Sequence, residues 1–406
     1  MKIRSFTCFF DPCLDQPTKA LVAFSKLAER ARTRFEEAGY ELETTRVVTT
    51  PFSTYLPSAL ESAQKAAYEL AQLALANGFT YLSLGPAQPE SPESYKLIVP
   101  VLKTSNIIFM SAEIADQKGI HLPAVRASGE IIAQLANVTP DGFTNLRFAA
   151  LARVRPFTPF FPAAFSIGSE RGFALALECA DEVVVAYHEA SSLQSARDML
   201  LERLNGHAAR LEEVCVELQE DFGPVYKGMD FSPAPFPQDA CSLGGALESL
   251  GVGQIGKAGS LAAAAFTAEA LDRGNWKRVG FNGLMLPVLE DSVLARRSAE
   301  GTLTVKDLLL FSAVCGTGLD TVPLPGATTG EEISALLLDV AALAMRLNKP
   351  LTARLMPIPG KVAGDATDFN FDYFSNGRVM ALESAGLKGL FAGGETFTLE
   401  KRKDLR

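Results

Sequence analysis

The chain alternates between two apolar periods, and that alternation limits what it can fold into. Short strand-like runs give way to longer stretches with apolar residues three or four apart, about eight times over, the pattern of a mainly parallel sheet with helices outside it. Lys2–Cys8 opens as a strand. Thr18–Glu37 follows as a helix with the stripe Leu21, Phe24, Leu27, Ala31 and Phe35, ended by Gly39. Residues 41–50, 79–84 and 107–111 read as strands, and 58–76 and 92–103 as helices. Residues 127–137 and 142–153 are expected to be helices, 172–177 and 182–187 strands, 192–218 a long helix and 228–231 a short strand. The stretch 156–166, PFTPFFPAAFS, has too many prolines for either regular state and reads as a structured loop. Helices at 240–250 and 259–272, a strand-like 281–288, a helix from Thr304, and a helix and strand at 330–347 and 351–356 complete the series. No linker or charge run divides the chain. One domain over 1–406 is expected, with 378–406 as a C-terminal arm.

Charge and cysteine usage exclude several classes. The net charge is −9, and the only basic cluster is Lys401–Lys403, so no nucleic-acid partner is expected. No stretch approaches the ~20 apolar residues that span a bilayer. Asp11 and Pro12 interrupt the opening segment where a signal peptide would be apolar, so a cytoplasmic location and no membrane partner are expected. Six cysteines occur without a C-x2-C pair, which points to reduced thiols rather than a zinc site.

Chemistry-bearing residues gather in the C-terminal half. In V-C-G-T-G-L-D, Cys315 ends a helix and Asp320 begins a strand within six residues. A helix C-terminus disfavours a thiolate, so Cys315 is either a packed thiol or, as a catalytic group, an acyl acceptor. L-P-V-L-E-D places Glu290 and Asp291 after a strand-like run, a pattern for a divalent cation such as Ca or Mg, or for a helix cap. M-D-F-S-P-A-P-F-P puts Asp230 and Ser232 at a strand's C-terminal edge, where α/β sites lie and where turns also form. I-G-K-A-G-S carries Lys257 and Gly259 ahead of a helix, an arrangement that holds an anion or simply caps the helix. Arg4, Arg46 and Arg354, each on an expected strand, can clamp a carboxylate bidentately. The three histidines have no nucleophile-elbow serine beside them, so a serine-hydrolase triad is not supported.

Taken together, D-x-S-x-A-P-x-P at 230–237, G-x3-I-G-x-x-G at 251–259, P-x-x-E-D at 287–291 and C-x-x-G-L-D at 315–320 resemble, in order and spacing, the family called domain of unknown function 711, also uncharacterised protein family 0210. The resemblance implies a fold like the pyruvate formate-lyase superfamily and the large subunit of ribonucleotide reductase. That fold is a ten-stranded α/β barrel of two five-stranded halves with a loop threaded into its centre. In glycyl-radical enzymes of that fold a central cysteine carries the radical, and Cys315 is the nearest counterpart. The C-terminal glycyl-radical motif is absent, so radical chemistry is not expected. Two positions depart from the family: Ser166 and Ala258 stand where its typical members have histidines. The resulting expectation is an oligomeric enzyme acting on a small carboxylate or amino-acid-like ligand in a barrel-centre pocket. The catalytic residues would be Cys315, Asp320 and Asp230. Arg4, Arg46, Ser232, Lys257, Gly259 and Arg354 would bind substrate, with a divalent cation on Glu290 and Asp291. The alternative is a non-catalytic ligand-binding or regulatory barrel.

Overall fold

A computed structural model describes residues 1–401. The basic tail therefore passes out of the described residues after Lys401. Among the described residues, eleven strands run β1 (Lys2–Phe9), β2 (Leu42–Val48), β3 (Tyr81–Ala87), β4 (Ile108–Ala115), β5 (Ile120–His121), β6 (Phe148–Ala152), β7 (Gly172–Glu178), β8 (Val225–Asp230), β9 (Gly318–Pro325), β10 (Leu351–Ile358) and β11 (Thr396–Phe397). They form one sheet, with the order β8-β7-β1-β2-β3-β4-β6-β10-β9; the short β5 branches from β4 and pairs with β11. Strands β1, β2, β3, β4 and β6 are parallel to one another. So are β7 with β8, and β9 with β10. Each of these two pairs meets the five-stranded group antiparallel, at β1–β7 and at β6–β10.

Edge strands β8 and β9 do not pair with each other. Between them lies the segment 277–288, and its part 281–288, expected to be strand-like, is not a regular strand. The segment touches β8 through Met229 and Arg278, and β9 through Pro287 and Asp320. The Met229 amide donates to the Lys277 carbonyl at 2.8 Å, and the Val288 amide to the Asp320 carbonyl at 3.0 Å. Gly280 and Asn282 have positive φ, which breaks the extended run. Continuous strand pairing thus does not close the sheet into the expected ten-stranded barrel.

Eleven α-helices accompany the strands among the described residues: α1 (Pro17–Glu37), α2 (Leu60–Ala76), α3 (Ile98–Leu102), α4 (Leu122–Ala136), α5 (Ala180–Glu189), α6 (Leu193–Phe222), α7 (Leu243–Leu247), α8 (Ser260–Asp272), α9 (Ser292–Glu300), α10 (Val305–Ser312) and α11 (Gly330–Leu347). The stripe foreseen for α1 is buried as a unit, at Leu21, Phe24, Leu27, Ala31 and Phe35. Thr304 and Asp307 form a capping box at the start of α10. Helix α11 has its own box in Thr329 and Glu332.

Two further expectations of element type fail. Residues 142–153 are not one helix: Phe143–Arg147 form a short 3-10 turn and 148–152 form β6, buried at every position. Residues 182–187 are not a strand; they lie in α5, which buries Val183, Ala186 and Tyr187. A short apolar run buried throughout, like β6, shows neither period, and in α5 the β-branched run Val183–Val185 suggests a strand although its burial follows a helical period; in both, packing against neighbours overrides the local pattern.

The two faces of the sheet differ in chemistry. Ile3, Phe6, Cys8 and Phe10 in and just after the first strand pack in the large cluster shared with α1. The alternate residues Ser5 and Thr7 face the loop 155–166 and donate to the Pro159 carbonyl at 3.4 and 3.3 Å. Ser83 holds the Ala164 carbonyl at 2.7 Å, and Ser166 holds that of Phe10 at 3.1 Å. The proline-rich stretch is thus a structured loop, as read, and polar strand residues pin it to the sheet's inner side.

Candidate functional site

A cavity of about 100 Å³ opens on this inner side. One water needs roughly 10–15 Å³ measured this way, so the space suits a small metabolite. Strands β1, β2, β9 and β10 supply its charges: Arg4, Glu43, Arg46, Asp320 and Arg354, joined by Glu290 from the segment before α9. Phe160 and Phe161 of the pinned loop form one wall, and Phe371 and Tyr373 another. Arg4 reaches the cavity because the register of β1 against β7 shifts between Ile3 and Ser5. That irregularity turns a residue inward that strict alternation would place outside.

Five charged side chains form one network. Arg4 donates to Glu178 at 2.6 Å and to Glu290 at 2.9 Å. Arg354 donates to the other oxygen of Glu290 at 2.6 Å and to Asp320 at 2.5 Å. Each guanidinium thus bridges two carboxylates in a dry setting, where the loss of any member strands a charge. Burial, with Glu290 nearby, raises the Asp320 carboxyl above its usual range although Arg354 opposes this. Burial likewise lifts Glu178 to about 7, against the pull of Arg4.

Arg46 stands apart from this network. Its Nε donates to Thr44 Oγ1 at 2.9 Å. Its guanidinium lies over the rings of Phe161 and Tyr81, 5.1 and 5.6 Å from their centroids. Among the described residues it pairs with no carboxylate, and only 7% of it is exposed. Burial and the neighbouring Arg4 cation push its pKa down to about 10. A buried guanidinium with its Nη edge unclaimed is prepared for an anion from outside the protein.

Of the residues expected at the site, the structure brings together Arg4, Arg46, Arg354, Asp320 and Glu290. The others serve elsewhere. Asp230 is fully buried and accepts from the Ser232, Phe281 and Asn282 amides and the Ser232 hydroxyl, all within 3.0 Å. Asp230 and Ser232 therefore fix the 277–288 segment against β8. Asp291 accepts from Ser242 and from the Gly244, Val293 and Leu294 amides, which makes it the cap of α9. Cys315 is buried outside the cavity lining, its sulfur accepting from the Gly318 amide at 3.4 Å. Lys257 and Gly259 are exposed ahead of α8, away from the cavity. Glu43 and Tyr81 line the cavity and were not foreseen. The available signal was E-x-x-R in β2, two charged residues in a run that is otherwise Leu, Thr and Val.

A sequence profile for the family described as Uncharacterised ACR (DUF711) matches residues 1–384. The chain belongs to the DUF711 family. A UPF0210 protein of Pyrobaculum aerophilum is 34% identical over 274 residues, 65% of this chain and 59% of the relative. A UPF0210 protein of Oenococcus oeni is 29% identical over 360 residues, 85% of this chain and 80% of the relative. One from Clostridium perfringens is 27% identical over 379 residues, 87% and 82% respectively. The match to the Pyrobaculum relative thus spans less than two thirds of that protein's length. In this DUF711 chain, Ser166 is buried on the Phe10 carbonyl and Ala258 is exposed. Neither lines the arginine cavity.

Proposed function

We propose that this DUF711 protein binds a small carboxylate-bearing metabolite in the cavity, with Arg46 holding the carboxylate, and converts it by proton transfer. The single observation behind this is the guanidinium of Arg46, buried without a carboxylate where the other two arginines are each paired with two. Proton transfer is favoured over covalent catalysis by the lining itself, which among the described residues offers carboxylates and phenols but no cysteine or serine, and whose three threonines donate to backbone carbonyls. Nucleophilic catalysis by Cys315 would need the thiol to reach a cavity it does not line. A second reading, a non-catalytic ligand-binding protein, is favoured by one observation: Glu290 and Asp320 are held in ion pairs, which leaves few free acid–base groups.

Geometry gives the divalent cation little support. Both oxygens of Glu290 are taken by arginines, those of Asp291 by N–H and O–H donors, and no cluster of three ligating side chains occurs among the described residues. A cation would have to displace Arg4 and Arg354. For the fold, we read segment 277–288 as the stave between β8 and β9. It would complete a ring of two five-stranded halves resembling the pyruvate formate-lyase barrel.

The test is incubation of purified protein with a pool of small organic and amino acids, followed by mass spectrometry. Wild type should deplete one component, and Arg46→Met should leave it untouched. Depletion that survives Arg46→Met overturns the assignment. Saturable binding without depletion would select the non-catalytic reading.

A further inference from the structure

Arg46 is not alone in the cavity in having an unclaimed polar edge. Glu43, three residues before it on β2, lines the same space. Its side chain is 7% exposed. One oxygen faces Lys2 Nζ at 3.9 Å, and the other, Oε2, is buried with no hydrogen-bond partner among the described residues. Glu43 and Arg46 do not satisfy each other, since their positions on β2 leave them without an ion pair. A buried carboxyl oxygen left without a donor is expensive, and native proteins keep such atoms mainly where a ligand or water meets them. Burial raises the Glu43 carboxyl, with the Arg4 and Lys2 charges opposing.

We propose that the cavity recognises a zwitterion: Arg46 takes the α-carboxylate of an amino-acid-like ligand, and Glu43 Oε2 accepts from its ammonium. This rests on the small-carboxylate reading above and narrows it. A plain carboxylate would satisfy Arg46 but leave Oε2 orphaned beside a second negative charge. An α-ammonium supplies donors and the opposite charge together. The aromatic walls, Phe160 and Phe161 among them, leave room for a small apolar or hydroxylated side chain.

The experiment is isothermal titration calorimetry of the full chain with matched pairs that differ only at the α-substituent: L-alanine and L-lactate, L-serine and L-glycerate, L-leucine and L-2-hydroxyisocaproate. At least one amino acid should bind about tenfold or more tighter than its hydroxy partner, the worth of one charged hydrogen bond. Glu43→Gln should abolish that preference by weakening the amino acid more than its hydroxy partner; Arg46→Met should weaken both members. Equal binding of both members by wild type overturns the zwitterion and leaves the carboxylate site standing, and that outcome needs no variant to fold. A preference that persists in Glu43→Gln overturns the role of Glu43. Failure of every probe to bind overturns the zwitterion and the carboxylate site together.

Discussion

Arg46 shows how one residue's surroundings define a site. Three arginines on strands are visible in the sequence, but only the fold separates the two paired with carboxylates from the one that is not. Because Arg46 carries an unpaired buried charge, Arg46→Met should leave the thermal midpoint unchanged or raise it, while removing carboxylate binding. A fall of the midpoint by several degrees would mean that Arg46 has a structural role instead. Glu113 on β4 gives a second residue-scale prediction. Burial, with Asp116 and Glu90 adding to it, lifts this carboxyl from 4.5 to about 7. The folded state therefore holds this proton more tightly than the unfolded chain does. Its contribution is complete below the unfolded value and is lost as pH rises through about 7. Glu113→Gln should flatten the fall in stability between about pH 5 and about pH 8, as read by melts at both values. An unchanged slope would place the titration elsewhere.

The segment 277–288 shows what pattern cannot tell at the level of elements. Its apolar residues suggested a strand, but what holds it is a single buried carboxylate and close backbone contact. A Cβ on Gly283 would meet the Gly316 Cα at 2.3 Å, so the two chains approach as only glycines allow. Asp230 meanwhile accepts from the Phe281 and Asn282 amides. Asp230→Asn puts an N–H donor among these donors and should cost about 2–3 kcal/mol in denaturant unfolding. Loss of amide protection should be greatest at 279–284. Uniform protection in that variant would show that the segment is held by other means. The elements that were legible were the long ones with one buried face, α1 and α11, the capped α10, and the strands with alternating residues. Those that were not, β6 and α5, are short runs with little periodicity. The motif residues Asp230 and Asp291 were visible as special, but a carboxylate that organises backbone amides and one that meets a ligand look alike in a sequence.

At the scale of the whole molecule, the network Glu178–Arg4–Glu290–Arg354–Asp320 ties β1, β7, β9 and β10 to the start of α9. No local signal announces it, since its members are up to hundreds of residues apart. Glu290 lies at its centre. Glu290→Gln leaves two guanidinium groups facing a weaker acceptor and should destabilise the protein by about 3–5 kcal/mol. Denaturant titration would show a lower midpoint with the slope retained, and an unchanged midpoint would mean the network adds little to stability. What the network leaves over is the Arg46 cavity, and its use can be seen directly. In crystals soaked with 2-bromopropionate, a small carboxylate that carries an anomalous scatterer, the bromine signal should lie in the cavity with the carboxylate on the Nη edge of Arg46. A cavity without bromine, or a carboxylate seated on Arg4 or Arg354 instead, would contradict the assignment of Arg46 as the anion-binding residue.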